Sequence, residues 1–224
     1  LYLEHIGAAR KFMSAERRAA RVKPVIVLKP RRFPAEPDDA VYAAAFRRAG
    51  LLRVDDSDEL LQMVEVLKAA KLVHNDRLAI LGNSSSMSLE PLIEPSALPN
   101  PLDLGDQASA KAYGQALDLL LADPGVDGVL VIKTPSALGE TVAVADALLQ
   151  RLADSHRCII ASFPGPETGA EARRRLGRQI PTYETASDAV QAFMRIVQYK
   201  RNQALLMETP PSLPEEFTPD SVAA

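Results

Sequence analysis

Gly128-Val129-Leu130-Val131-Ile132 is an unbroken apolar run, and its reading decides the fold. A strand with one wet face alternates apolar and polar residues. A continuous run of this length marks a strand buried on both faces, as in a parallel sheet covered by helices. The flanks agree. Asp123-Pro124-Gly125 breaks the chain before it, and residues 140–153 after it carry Val142, Ala145, Leu148, Leu149 and Leu152 on one helical side.

The same alternation of short β-rich runs and longer helical runs extends both ways, the signature of βαβ units. Toward the C-terminus, residues 158–161 read as a strand, 169–176 as a helix and 181–183 as a short strand. Ser187 is then expected to cap a long helix running to about Leu206. From Thr209, prolines among polar and acidic residues read as a linker or tail. Toward the N-terminus, residues 111–122 form a helix and 77–81 a strand. Residues 58–70 form a helix with an acidic first turn, capped by Ser57, and 51–54 a short strand. Residues 38–49 are an Ala-rich helix stopped by Gly50. Val25-Ile26-Val27-Leu28 is a second buried strand, and residues 8–22 a basic amphipathic helix with Phe12, Ala15, Ala19 and Val22 on one face. Leu1-Tyr2-Leu3-Glu4 lacks the basic and apolar regions of a signal peptide and reads as the tail of a strand, pointing to a piece of a longer protein.

Composition bounds the rest. The chain has 224 residues, a net charge of −3 and no apolar run near membrane-span length, so neither a nucleic-acid surface nor a membrane partner is expected. Cys158 is the single cysteine, which excludes an internal disulfide and fits a reducing, cytoplasmic setting. Both halves end on a short strand followed by an acidic-capped helix, which reads as two related folds in tandem, divided near His74-Asn75-Asp76.

The pattern breaks twice. Residues 29–37 hold three prolines beside Lys29, Arg31 and Arg32, and no helix fits them. After the strand at 77–81, prolines at 91, 95, 99 and 101 leave no room for the helix that a parallel crossover usually needs. Either these are long irregular loops, or sequence is joined across deletions near Phe33/Pro34 and near Ser86/Met87/Ser88.

Parallel sheets place ligands at the carboxyl ends of their strands. Three loops there mix cations, hydroxyls and amide donors suited to phosphate or the pyrophosphate of coenzyme A: Lys29-Pro30-Arg31-Arg32, Gly82-Asn83-Ser84-Ser85-Ser86 and Lys133-Thr134-Pro135-Ser136. His5, His74 and His156 read as structural or surface residues, with no catalytic triad or metal-ligand spacing. Cys158 opens an apolar strand and reads as an inert core thiol. Glu4, Asp103 and Asp106 are candidate acids or bases without a paired partner, and Arg173-Arg174-Arg175 reads as a solvated helix face.

Several stretches, in order, resemble one family: Tyr2-Leu3-Glu4-His5-Ile6 with Arg10-Lys11-Phe12, Lys23-Pro24-Val25-Ile26-Val27-Leu28-Lys29, Phe46-Arg47-Arg48-Ala49-Gly50-Leu51-Leu52-Arg53-Val54, Asn100-Pro101-Leu102-Asp103-Leu104, Pro181-Thr182-Tyr183, and Ala192-Phe193-Met194 through Tyr199-Lys200-Arg201-Asn202-Gln203. Together they resemble the middle of NDP-forming acyl-CoA synthetases. The resemblance implies an α/β fold of two tandem flavodoxin-like (succinyl-CoA ligase-like) domains with parallel sheets: 1–73 as the first, 74–206 as the second and 207–224 as linker or tail. It also implies coenzyme A or acetyl-CoA as ligand and an oligomer. A CoA-binding Rossmann domain and an ATP-grasp domain would lie in the same or a partner chain, with ATP or ADP reached only through the latter.

In that family phosphate passes through a histidine in the loop after the strand that corresponds to residues 25–28, within a Ser-His-Thr-Gly type motif. Here Arg31-Arg32-Phe33-Pro34 stands in that place, and without an imidazole no nucleophile holds the phosphoryl group. The loss resembles the ligase-like region of bacterial protein lysine acetyltransferases, where it is fused to a GNAT domain. The expected function is therefore a catalytically silent region that binds or senses acyl-CoA. A fragment or subunit of a working synthetase is the first alternative and an interaction scaffold the second.

Overall fold

A computed structural model describes residues 1–4, 6–30, 39–69, 71, 73, 75–83, 99–136, 140–152 and 155–208. In chain order the elements are α1 (Ala9–Ala20), β1 (Ile26–Leu28), α2 (Asp39–Arg48), β2 (Leu52–Val54), α3 (Ser57–Ala69), β3 (Leu78–Gly82), β4 (Leu102–Asp103), α4 (Ala110–Ala122), β5 (Gly128–Ile132), α5 (Thr141–Leu152), β6 (Cys158–Ser162), α6 (Thr168–Leu176), β7 (Thr182–Tyr183) and α7 (Ala186–Met207).

β5 lies at the centre of a five-stranded sheet of order β4-β3-β5-β6-β7, parallel at every pairing. Its unbroken apolar run follows from cover on both faces. Val129 and Val131, with Ala79 and Leu81 of β3 and Ile159 and Ala161 of β6, meet α4, α5 and α6. Leu130 and Ile132, with Leu78, Ile80, Cys158 and Ile160, meet α3 and α7. Successive side chains point to opposite faces, so both parities must be apolar. Each fully buried aliphatic side chain contributes about 2 kcal/mol relative to exposure.

β4 is a two-residue strand that the sequence pattern does not predict. The Asn100 side chain does the pairing that a longer strand would do. Its Nδ2 donates to the Leu78 carbonyl at 2.9 Å and its Oδ1 accepts from Ile80 N at 2.9 Å. Backbone pairing is left only at Leu81–Leu102 and Gly82–Asp103.

The second sheet is smaller. β1 and β2 pair in parallel, and Tyr2 bridges to Leu28 on the outer edge of β1. Ala20, Val25, Val27, Phe46, Ala49 and Leu51 form its core, together with Leu206 from the far end of the chain. At about 33 Å, α7 is long enough to serve both sheets. One cluster joins Leu52, Val54, Met63 and Val66 to Leu130, Ile160, Phe193 and Ile196. A split into two tandem domains is therefore not confirmed, because the two sheets share apolar packing.

Several local expectations shift. Asp56, not Ser57, caps α3: its Oδ1 accepts from Glu59 N at 2.8 Å, while Glu59 Oε2 accepts from Asp55 N at 2.9 Å, a reciprocal cap. Thr185, not Ser187, caps α7 by accepting from Asp188 N. Val22 lies beyond the end of α1 and is 84% exposed, and Ala20 is the buried residue of that helix. Gly50 does stop α2, with φ +76°. Residues 31–38 of the first proline-rich break, 84–98 of the second and the tail from Thr209 lie outside the described residues.

Candidate functional site at the carboxyl edge of the large sheet

In strand order the large sheet reads 2-1-3-4-5, and its direction of winding reverses between β3 and β5. In open α/β sheets that reversal opens a crevice at the carboxyl ends, where ligands bind. β3 there runs into Asn83, and β5 runs into Lys133-Thr134-Pro135-Ser136. Two of the three loops singled out from sequence thus meet.

They meet through hydrogen bonds. Asn83, 1% exposed, accepts at Oδ1 from Thr134 N at 2.8 Å and from Thr134 Oγ1 at 3.0 Å, and its Nδ2 donates to Thr134 O at 3.2 Å. Lys133 is wholly buried; its Nζ donates to Thr134 O at 3.0 Å and to Ser136 Oγ at 3.4 Å. Burial pulls the Lys133 ammonium below its ordinary pKa, opposed by the field of Asp106. Among the described residues no carboxylate pairs with it. Lys133 N donates to Ser162 O at 3.0 Å, and Tyr113 Oη donates to Ile132 O at 2.9 Å, so the end of β5 is held from both neighbours. The Tyr113 phenol is raised far above its usual range by burial. This edge is held by hydrogen bonds between its two loops, carries a buried ammonium, and is lined with hydroxyl and amide groups.

The third loop goes elsewhere. Lys29 leaves β1 in the small sheet, with its ammonium 4.6 Å over the ring of Tyr42 and its carbonyl accepting from Arg53 Nε at 3.1 Å. Among the described residues nothing links it to Asn83 or Lys133. Arg31, Arg32, Ser84, Ser85 and Ser86 lie outside the described residues, as do His5 and His74.

Of the other candidates, His156 is exposed and lines a cavity of about 440 Å³ at the opposite, amino edge with Asp118, Gln150, Arg151 and Arg157. Asp103 accepts from Gly105 N at 2.8 Å and Glu4 from Tyr2 Oη at 3.0 Å, each a local structural bond. The Cys158 thiol is 1% exposed and pushed up to about 12 by burial, in keeping with an inert core residue. Arg173 departs from the expected solvated face. Its guanidinium turns inward and donates to the carbonyls of Phe163 and Gly165, shaping the loop after β6, while Arg174 and Arg175 pair with Glu171 and Asp146. Sequence reasoning also missed Asn100 and Tyr113, which hold the site without touching its open face. Among the described residues no cluster of His, Cys, Asp or Glu is placed to hold a metal ion, and no helix is long and apolar enough to cross a membrane.

Residues 1–67 match the succinyl-CoA ligase like flavodoxin domain. Curated relatives extend the likeness over most of the chain. They include acetate–CoA ligase [ADP-forming] I of Archaeoglobus fulgidus (27% identical, 91% of this chain, 34% of the relative). The alpha subunit of acetate–CoA ligase [ADP-forming] II of Pyrococcus furiosus is 26% identical over 90% of this chain and 53% of its own length. 4-Hydroxybutyrate–CoA ligase [ADP-forming] of Nitrosopumilus maritimus is 22% identical over 89% and 34%. The chain thus spans a third to a half of the length of these relatives. Among solved structures, the dinucleotide-forming acetyl-coenzyme A synthetase 1 of Ca. Korarchaeum cryptofilum superposes with a TM-score of 0.80 in its apo form (22% identical, 92% of this chain and 54% of that one). Its complex with phosphate and ADP gives 0.78 (22%, 92% and 53%). These likenesses support a succinyl-CoA ligase-like flavodoxin domain of the kind found in NDP-forming acetyl-CoA synthetases.

Proposed function

We propose that the chain is the flavodoxin-like part of an ADP-forming acyl-CoA synthetase, and that its carboxyl edge receives the phosphate-bearing group of coenzyme A or of an acyl phosphate. The observation that carries the reading is the junction of Asn83 with Lys133-Thr134-Pro135-Ser136 at the point where the strand order reverses. The relatives above add the reaction class. In this reading a CoA-binding Rossmann domain and an ATP-grasp domain, in the same or a partner chain, supply the cofactor and nucleotide sites, within a cytoplasmic oligomer. The alignment to the Archaeoglobus enzyme runs over 242 residues while drawing on 91% of a 224-residue chain, so the relative carries residues this chain lacks, in keeping with internal deletions.

A second reading, the silent acyl-CoA-sensing region of a protein acetyltransferase, keeps one observation in its favour: no histidine stands between Lys29 and Asp39. The relatives named are ligases, which puts the synthetase reading ahead. Calorimetry with coenzyme A, acetyl-CoA and inorganic phosphate tests what the two share. Saturable heat with at least one is expected, and none at millimolar ligand sinks both. The parent gene separates them: a histidine in the segment that follows Phe33 marks a working relay, and a fused GNAT domain marks the silent region.

A further inference from the structure

Two lysines are buried among the described residues, and they are compensated differently. Lys29 rests its ammonium over the Tyr42 ring, an attractive arrangement for a cation. Lys133 meets only two neutral oxygens, Thr134 O and Ser136 Oγ, among the described residues. A charge taken out of water without a counter-ion is costly. Asp106 lies near enough for its field to act on Lys133 but forms no ion pair with it.

The hydrogen-bond directions show where a counter-charge fits. Thr134 Oγ1 spends its proton on Asn83 Oδ1, so that hydroxyl points inward. Ser136 Oγ instead accepts from the Lys133 ammonium, which turns its own proton away from the cation. Ser136 is half-buried, and among the described residues its proton has no acceptor, so it is available to a ligand. The Thr134 carbonyl takes both Asn83 Nδ2 and Lys133 Nζ, which ties the position of the ammonium to Asn83.

We infer that Ser136 and Lys133 form an oxyanion subsite for a tetrahedral phosphoryl group, with Ser136 as the contacting donor, Lys133 as the buried counter-charge beneath it and Asn83 as the residue that positions Lys133. The inference rests on the reading that this edge is the ligand edge, and it names the groups that set its preference for anions.

Lys133→Met separates this role from a structural one, because the two predict opposite signs. An uncompensated buried ammonium destabilises the ligand-free protein, so its replacement by an apolar side chain of similar length leaves the apo melting temperature equal or higher. The same change removes the rise in melting temperature caused by millimolar inorganic phosphate and weakens phosphate binding by at least about tenfold. Ser136→Ala keeps the fold and weakens phosphate by roughly three- to tenfold. Competition between phosphate and coenzyme A identifies the phosphoryl source: mutual exclusion supports a phosphate group of coenzyme A in the subsite, and independent binding supports free phosphate. A lower apo melting temperature in Lys133→Met with phosphate affinity within twofold of wild type overturns the inference. Should that variant not fold, wild-type phosphate affinity in Ser136→Ala overturns it alone. If coenzyme A binds and phosphate ignores both substitutions, the subsite fails while the proposed function stands. If neither ligand binds the unaltered protein, both fail together.

Discussion

The small and large sheets of this chain reach stability by different means. β3, β5 and β6 are buried at all five positions, because helices cover both faces. β1 and β2 have three residues each and alternate: Val27 is buried between half-buried Ile26 and Leu28, and Arg53 is half-buried between Leu52 and Val54. Their cover is thin. α1 buries only Ala20, and α2 only Phe46. The small sheet depends instead on α7, the last helix. Leu206 enters its core, Asn202 Nδ2 donates to Leu51 O at 2.6 Å, and Gln203 Nε2 donates to Gly50 O at 3.0 Å. The lesson is one of dependence: residues 1–67, which match the flavodoxin-domain family, are held by a helix 120 residues or so further along the chain.

The largest expected effect comes from the residue that serves the shared core. Phe193 is 1% exposed, and its ring lies so close over Gly128 that a Cβ there would stand 2.6 Å from Cε2. Phe193→Ala should cost about 3–5 kcal/mol. Because the cluster spans both sheets, urea unfolding followed by two probes should stay a single transition. Two separated transitions would mean that the sheets are independent after all.

Asn202→Ala cuts only the tie. It leaves the buried carbonyl of Leu51 without this donor, at a cost of about 1–3 kcal/mol. Hydrogen exchange should then speed up at β1 and β2 while β5 and β6 keep their protection. Equal acceleration in both sheets would break the contrast drawn above.

How much of this was legible follows from range. The apolar run at 128–132 declares itself because burial on both faces leaves no polar position in the strand. The run at 25–28 is equally apolar but leaves Ile26 and Leu28 half-buried, so its reading as a strand buried on both faces does not hold at those two positions. β4 does not declare itself, because Asn100 stands in for a strand through its side chain, and two residues carry no period. The caps slipped by one or two positions because Asp56 beside Ser57, and Thr185 beside Ser187, offer equally good acceptors. At the site, Asn83, Lys133, Thr134 and Ser136 were readable as loop residues after strands. Their meeting was not, since it depends on β3 lying beside β5, about 50 residues away along the chain. The inward turn of Arg173, among three adjacent arginines, leaves no trace in sequence at all.

Arg195→Ala probes the weaker part of the tie. Arg195 reaches Glu59 at 2.6 Å and Arg53 O at 3.3 Å, yet it is more than a third exposed. Solvent screening holds such a pair to about 1 kcal/mol or less. The melting temperature should move by only a few degrees, and by less in high salt. A loss as large as that of Asn202→Ala would show that charge, and not the buried amide, anchors the small sheet.

The smallest expected effect sits in the large sheet, at Cys158. Burial raises its thiol to about 12, above the ordinary value of 9.0. The folded form therefore favours the neutral thiol. Its contribution to stability is complete below about pH 9 and is lost as pH rises through the window toward 12. Cys158→Ala should flatten that alkaline decline while leaving the pH dependence below 9 unchanged. At pH 8 the native thiol should resist iodoacetamide, since reaction needs both exposure and thiolate. The useful control is Asn202→Ala: if only the small sheet loosens, the alkylation rate at Cys158 stays at the wild-type value, and a parallel rise in that rate would show that opening at β1 and β2 propagates through α7 into β6.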